Sequence, residues 1–183
     1  MIGDIAVDGE PGGLLLGLHY GPYSSLLPLV LARRLGRVSF LVDRRLDPSL
    51  VLPTERVHEL ERAGVLPPGA LAAIDGGVRR VRDELARGSA VVVLVDPYFL
   101  PPGSRSVGLR IGARELRVPR GAAWLSEQTA CAVAAVSIVP TATGHRVAVR
   151  GVADVSAALT VLAEQVVADP APWEGWLREQ RHL

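Results

Sequence analysis

No lysine occurs anywhere in the 183-residue chain; all 20 basic residues are arginines. That absence removes a Schiff base, a lysine general base and the lysine of a phosphate-binding P-loop from consideration. A single cysteine, Cys131, excludes an internal disulfide, and its neighbours Ala130, Ala132 and Val133 mark it as a small buried hydrophobe. Aromatic residues make up only 4% of the chain against a hydrophobic share of 49%, so the core is expected to consist of Leu, Val and Ala. No apolar run approaches the roughly 20 residues of a membrane-spanning helix, so no transmembrane anchor is expected. Residues 1–13 carry acids and no basic stretch, which is not a signal peptide; the cytoplasm is the expected location. A formal net charge of +1 supplies no global field to recruit nucleic acid or an anionic membrane.

What is present fits one domain spanning residues 1–183, with a single sizeable core. "GLLLGL" (13–18) reads as a buried strand bounded by glycines. Residues 22–35 read as a helix that Pro28 kinks or splits and Gly36 stops. "RVSFLVD" (37–43) is a second strand, "PTERVHELERAG" (53–64) a second helix and "GGVRRVRDELARG" (76–88) a third. "SAVVVLVD" (89–96) is the clearest strand, a β-branched run buried on both faces. A hairpin around Gly112, a helix over 120–130, two neighbouring strands and a helix over 153–168 follow. Trp173 and Trp176 are placed on a short closing helix that covers the core. Strands alternating with helices through short connections give an α/β sandwich: a mostly parallel central sheet flanked by helices.

Reactive groups in such folds collect where strands end. Three strand ends qualify: His19 after the first strand, Asp96 after the central one, and Asp43 opening the cluster Asp43-Arg44-Arg45. Each also has a plain reading. A histidine at a strand end is often only a hydrogen-bonding residue, and an aspartate before proline often only starts a loop. Arg44, Arg45 and Arg62 form either a basic surface for an acidic or phosphate-bearing partner or a scatter of solvated side chains. Tyr20, Tyr23, Tyr98 and Phe99 flank the strand ends; Tyr23 and Tyr98 are the amphipathic rim residues. His58 and His145 lack partners at metal-ligand spacing, and neither a G-x-S-x-G elbow nor a dinucleotide fingerprint is present.

In order, "GLLLGLHYGPYSSL", "ELARGSAVVVLVDPYF", "VPRGAAWLSEQTACAVAAVSIVP" and "PAPWEGWLREQR" resemble the lysophospholipid acyltransferase superfamily. The resemblance is to the branch of bacterial lipid A lauroyl and myristoyl acyltransferases, and it runs from about Leu14 to the C-terminus. It implies an acyltransferase fold and transfer of an acyl group from a thioester to a hydroxyl or amine, with His19 as general base and no covalent enzyme intermediate. It also implies an acyl carrier protein or coenzyme A as the donor's handle and no bound cofactor. Tyr20, Asp43, Arg44, Arg45, Tyr98 and Arg110 would contact substrate.

One position departs from the family. Its histidine is followed, after four intervening residues, by Asp or Glu; here that place is held by Ser24. A serine can accept an imidazole N–H but brings no negative charge. Three readings follow: Asp43 or Asp96 serves as the acid, His19 acts alone on an amine, or catalysis is lost and the chain is a module that binds a carrier protein or partner enzyme. The family's N-terminal hydrophobic helix has no counterpart here, so a soluble acceptor such as an amino acid, a peptide or a hydroxylated intermediate of specialised metabolism is expected in place of a bilayer lipid.

Overall fold

The structure, a computed structural model, describes residues 5–8, 13–21, 23, 26–42, 54–75, 78–96 and 103–173. The elements are β1 (Ile5–Asp8), β2 (Leu14–Gly17), α1 (Leu26–Leu35), β3 (Val38–Val42), α2 (Thr54–Arg62), β4 (Leu71–Asp75) and α3 (Val78–Ala86). They continue with β5 (Ala90–Leu94), β6 (Ser106–Ile111), β7 (Arg114–Pro119), α4 (Gly121–Thr129), β8 (Val133–Thr141), β9 (Gly144–Val152) and α5 (Val155–Ala168).

Seven strands form one sheet in the order β1-β9-β8-β2-β5-β3-β4. From β8 to β4 all neighbours are parallel; β9 runs antiparallel to β8, and β1 runs parallel to β9. The expected α/β sandwich with a mostly parallel sheet is what the chain adopts. The central position of β2 follows from its sequence, because Leu14, Leu15 and Leu16 are all fully buried and only a strand covered on both faces accommodates such a run.

The right-handed crossover rule fixes the layers. Chain travel from β2 to β3 to β4 puts α1 and α2 on one face, and the return to β5 and β8 puts α3 and α4 on the other. Packing agrees: α3 lies on β5 and against α4, α4 on β2 and against α5, and α5 on β8. The hairpin β6-β7 is a separate two-stranded sheet that packs through β6 on α5, with Leu109, Ile111 and Val118 joining the main core. Among the described residues no helix is long and apolar enough to cross a membrane.

Two details differ from the expected pattern. Helix α1 runs unbroken through Pro28 from Leu26 to Leu35, so the proline does not split it. Two strands, β1 and β4, go beyond the predicted set.

Candidate active site

Parallel pairing of β2 with β5 decides the site. Their register sets Gly17 beside Leu94, and the ladder continues past the assigned ends: the Val95 N–H donates to the Gly17 carbonyl at 2.9 Å. Two steps along that register stand His19 and Asp96, brought together from 77 residues apart. Both leave the sheet at the carboxyl edge of the parallel strands, where α/β folds place their chemistry.

The contact is specific. The His19 ring Nδ1 lies 2.9 Å from Asp96 Oδ1, and the His19 backbone N–H donates to Oδ1 at 3.0 Å and reaches Oδ2 at 3.3 Å. Asp96 is 1% exposed and His19 9%. A carboxylate only accepts, so Nδ1 is the protonated ring nitrogen and the basic lone pair falls on Nε2. Tyr23 stands edge-on to the imidazole, with ring centroids 4.7 Å apart and planes at 83°, and limits the ring's tilt.

The segment after α5 closes over this strand end. The Trp173 indole Nε1–H donates to Asp96 Oδ2 at 2.9 Å. Tyr20 and Trp173 form an isolated antiparallel bridge, and the Gly21 N–H donates to the Pro172 carbonyl at 3.0 Å. The Tyr20 hydroxyl donates to the Asp169 carbonyl at 2.6 Å. Burial pushes the Tyr20 phenol above its ordinary pKa; the Asp169 charge and hydrogen bonding there add to the rise, and Gln165 partly opposes it.

The residues expected at the site separate into three groups. His19 and Asp96 meet as a dyad. Tyr20 is 3% exposed with its hydroxyl engaged, so it braces the strand end from within the core and offers a substrate no surface. Arg110 stands exposed on β6, across the hairpin from Glu115, in a sheet separate from the one that carries the dyad. Ser24, Asp43, Arg44, Arg45, Tyr98 and Phe99 lie outside the described residues, as does Trp176.

One further expectation is corrected. Trp173 is in a bridge and not on a short helix, because its backbone pairs with Tyr20. Arg62 lines a groove of about 700 Å3 with Glu55, Glu59, Glu61, His58 and Pro68, while Arg44 and Arg45, its partners in the expected basic surface, lie outside the described residues. That groove lies at the β4 edge of the sheet, three strand positions from β2. Among the described residues no group of three His, Cys, Asp or Glu side chains could hold a metal ion.

The hydrogen bond from Trp173 is the part of the site that sequence reasoning missed. Its signal was there, since a buried indole N–H requires an acceptor and Asp96 was already a candidate. No protein-family model and no curated protein matches the chain.

Proposed function

We propose that the chain is an acyltransferase of the lysophospholipid acyltransferase type, with His19 as general base and Asp96 as its carboxylate. It takes an acyl thioester, carried on an acyl carrier protein or coenzyme A, and an amine or hydroxyl acceptor in the cytoplasm. The observation that carries the reading is the buried His19–Asp96 pair at the carboxyl edge of the sheet. The family's acid position holds Ser24, and Asp96 supplies the missing charge from the neighbouring strand.

The chemistry follows from the geometry of the ring. With Nδ1–H bonded to Asp96, Nε2 removes the proton from the acceptor as its nitrogen or oxygen attacks the thioester carbonyl carbon. The carboxylate stabilises the imidazolium that forms. The tetrahedral intermediate then collapses, the C–S bond breaks, and the imidazolium proton passes to the departing thiolate. The products are an amide or ester and a free thiol, and the enzyme is regenerated.

A second reading, a carrier-binding module without turnover, rested on the absence of a carboxylate behind His19. The Asp96 contact supports the catalytic reading over it. The test is intact-mass analysis of an acyl-loaded carrier protein incubated with the chain and a set of amine and hydroxyl acceptors. Wild type should unload the carrier and acylate an acceptor, with His19→Ala slower by about 10²–10⁴-fold. Equal turnover by wild type and His19→Ala sinks the assignment of the base. Stable carrier binding with no turnover by wild type supports the second reading instead.

A further inference from the structure

We infer that Trp173 is a positioning residue for the dyad, acting through Asp96; the inference rests on the reading of His19 as the base. Asp96 has two oxygens to distribute among its donors. Oδ1 takes the His19 ring and backbone N–H groups, and Oδ2 takes the indole N–H, with the same backbone N–H 3.3 Å away. The carboxylate can rotate about its bond to Cβ, and a rotation that lifts Oδ1 out of the imidazole plane weakens the contact that selects the tautomer. The indole bond at 2.9 Å resists that rotation from the opposite side.

The placement of Trp173 is itself fixed by contacts to the strand end. The chain leaves α5 at Ala168, runs through Asp169 and Pro170, and is tied back to the strand end twice. The Tyr20 hydroxyl takes the Asp169 carbonyl, and the Gly21 N–H takes the Pro172 carbonyl. The Trp173 N–H turns onto the Pro170 carbonyl at 3.2 Å. These bonds aim the indole inwards, where it is 4% exposed, so burial and direction are fixed together. Packing alone would be satisfied by any large apolar ring; the edge that carries Nε1–H faces the buried carboxylate that orients the base.

The consequence is a division of labour. Asp96 selects the His19 tautomer, and Trp173 keeps Asp96 in the rotamer that does so. Because the tautomer is a property of the resting protein, it can be read without turnover.

The experiment uses the full chain with Trp173→Phe, which keeps an aromatic ring and deletes the donor. Imidazole ¹⁵N NMR of wild type should show His19 chiefly as the Nδ1–H form. In Trp173→Phe the Nε2–H form should appear beside it, kcat for acyl transfer should fall about tenfold and KM should stay unchanged. In an Asp96→Ala background the same substitution should change neither tautomer nor kcat further, since no carboxylate remains for the indole to hold. Should phenylalanine fail to fold, benzothienylalanine placed at position 173 retains the indole shape and lacks only the N–H. A folded variant without the donor that keeps both the wild-type tautomer and the wild-type kcat overturns the proposal. A shifted tautomer in a protein with no transferase activity upholds the positioning role and refutes the enzymatic reading, so the two failures are distinguishable.

Discussion

Asp96 holds His19 at two points, the ring Nδ1 at 2.9 Å and the backbone N–H at 3.0 Å. One contact sets the tautomer and the other sets where the ring begins. Since the backbone bond survives any change of the histidine side chain, the strand end keeps its path when the imidazole is removed. The dyad is therefore open to mutation from either side.

Asp96→Asn should slow acyl transfer by about 10³–10⁴-fold. The amide offers one acceptor where the carboxylate offers two, so its NH2 must oppose either the His19 ring or the Trp173 indole. Facing the ring, it donates to Nδ1 and drives the proton to Nε2, the position that has to receive one, while opposing the His19 backbone N–H unless that N–H turns to the amide oxygen. Facing the indole, it leaves two buried N–H groups opposed, at a cost of about 1–3 kcal/mol in stability. Single-turnover rates and thermal unfolding of the same preparation separate the two outcomes, and a variant as active as wild type removes Asp96 from the mechanism.

Both halves of the dyad were legible as residues at strand ends, because His19 follows "GLLLGL" and Asp96 follows "SAVVVLV". Their partnership was not. It depends on β2 and β5 being neighbours, and that order arises because the chain skips a place from β2 to β3 and a single crossover from β4 back across β3 fills it with β5. Strand order of this kind is a property of the packed layers and leaves no local periodicity. The strand β4 escaped for a different reason: "LAAID" comes just after Pro67-Pro68-Gly69 and three of its five residues are alanine or aspartate, so turn chemistry and low β-propensity masked it. At four residues, β1 is too short to show alternation, and its pairing is with β9 at the far end of the chain. The helix after β2 is present, and it continues through Pro28, which a purely local reading takes as a breaker.

Gly13→Ala should be among the most destabilising single-methyl additions in the protein. Gly13 has φ of +93°, and a Cβ there would run into the Ala132 carbonyl oxygen. That carbonyl accepts the Leu14 N–H at 2.9 Å, where β2 begins pairing with β8, so the backbone cannot yield without losing the ladder. Strain at a positive φ costs about 1–3 kcal/mol before any clash is counted. Equilibrium urea unfolding should register at least that loss, and a midpoint equal to wild type would mean that the close approach is absent in solution.

Glu84 makes the fold acid-sensitive at the opposite edge of the sheet. Its carboxylate accepts from Arg37 Nε at 3.1 Å and Nη2 at 3.2 Å, from Arg87 at 2.6 Å, and from the Ser39 and Ser89 hydroxyls at 3.2 and 2.8 Å. Burial pushes its pKa up, but the hydrogen bonds from Ser89, Arg87 and Arg37 and the Arg37 charge outweigh burial and hold it below the ordinary value of 4.5. A folded pKa below the unfolded one means stability that is complete above about pH 4.5 and lost as pH falls through the folded value. Glu84→Gln should cost about 1–3 kcal/mol at neutral pH, and the gap to wild type should narrow on acidification. A gap independent of pH between 7 and 3 contradicts the account.

Tyr20→Phe tests the tie that holds the closing segment to the strand end. The substitution keeps the buried ring and removes a 2.6 Å bond to the Asp169 carbonyl, worth about 1 kcal/mol. In a chain of this size that lowers Tm by roughly 2–4 °C. The alkaline limb supplies a sharper signature. Burial raises the folded phenol's pKa above its ordinary 10.0, so its contribution is complete below that pH and declines as pH rises towards the folded value. Wild type should thus lose stability from about pH 10 upwards more steeply than Tyr20→Phe, and the two unfolding curves should converge there. Gly21 and Trp173 still bind the segment in the variant, so acyl transfer at neutral pH should fall far less than in Asp96→Asn. A loss as deep as that of Asp96→Asn would mean that the strap, and not the carboxylate, sets the orientation of His19.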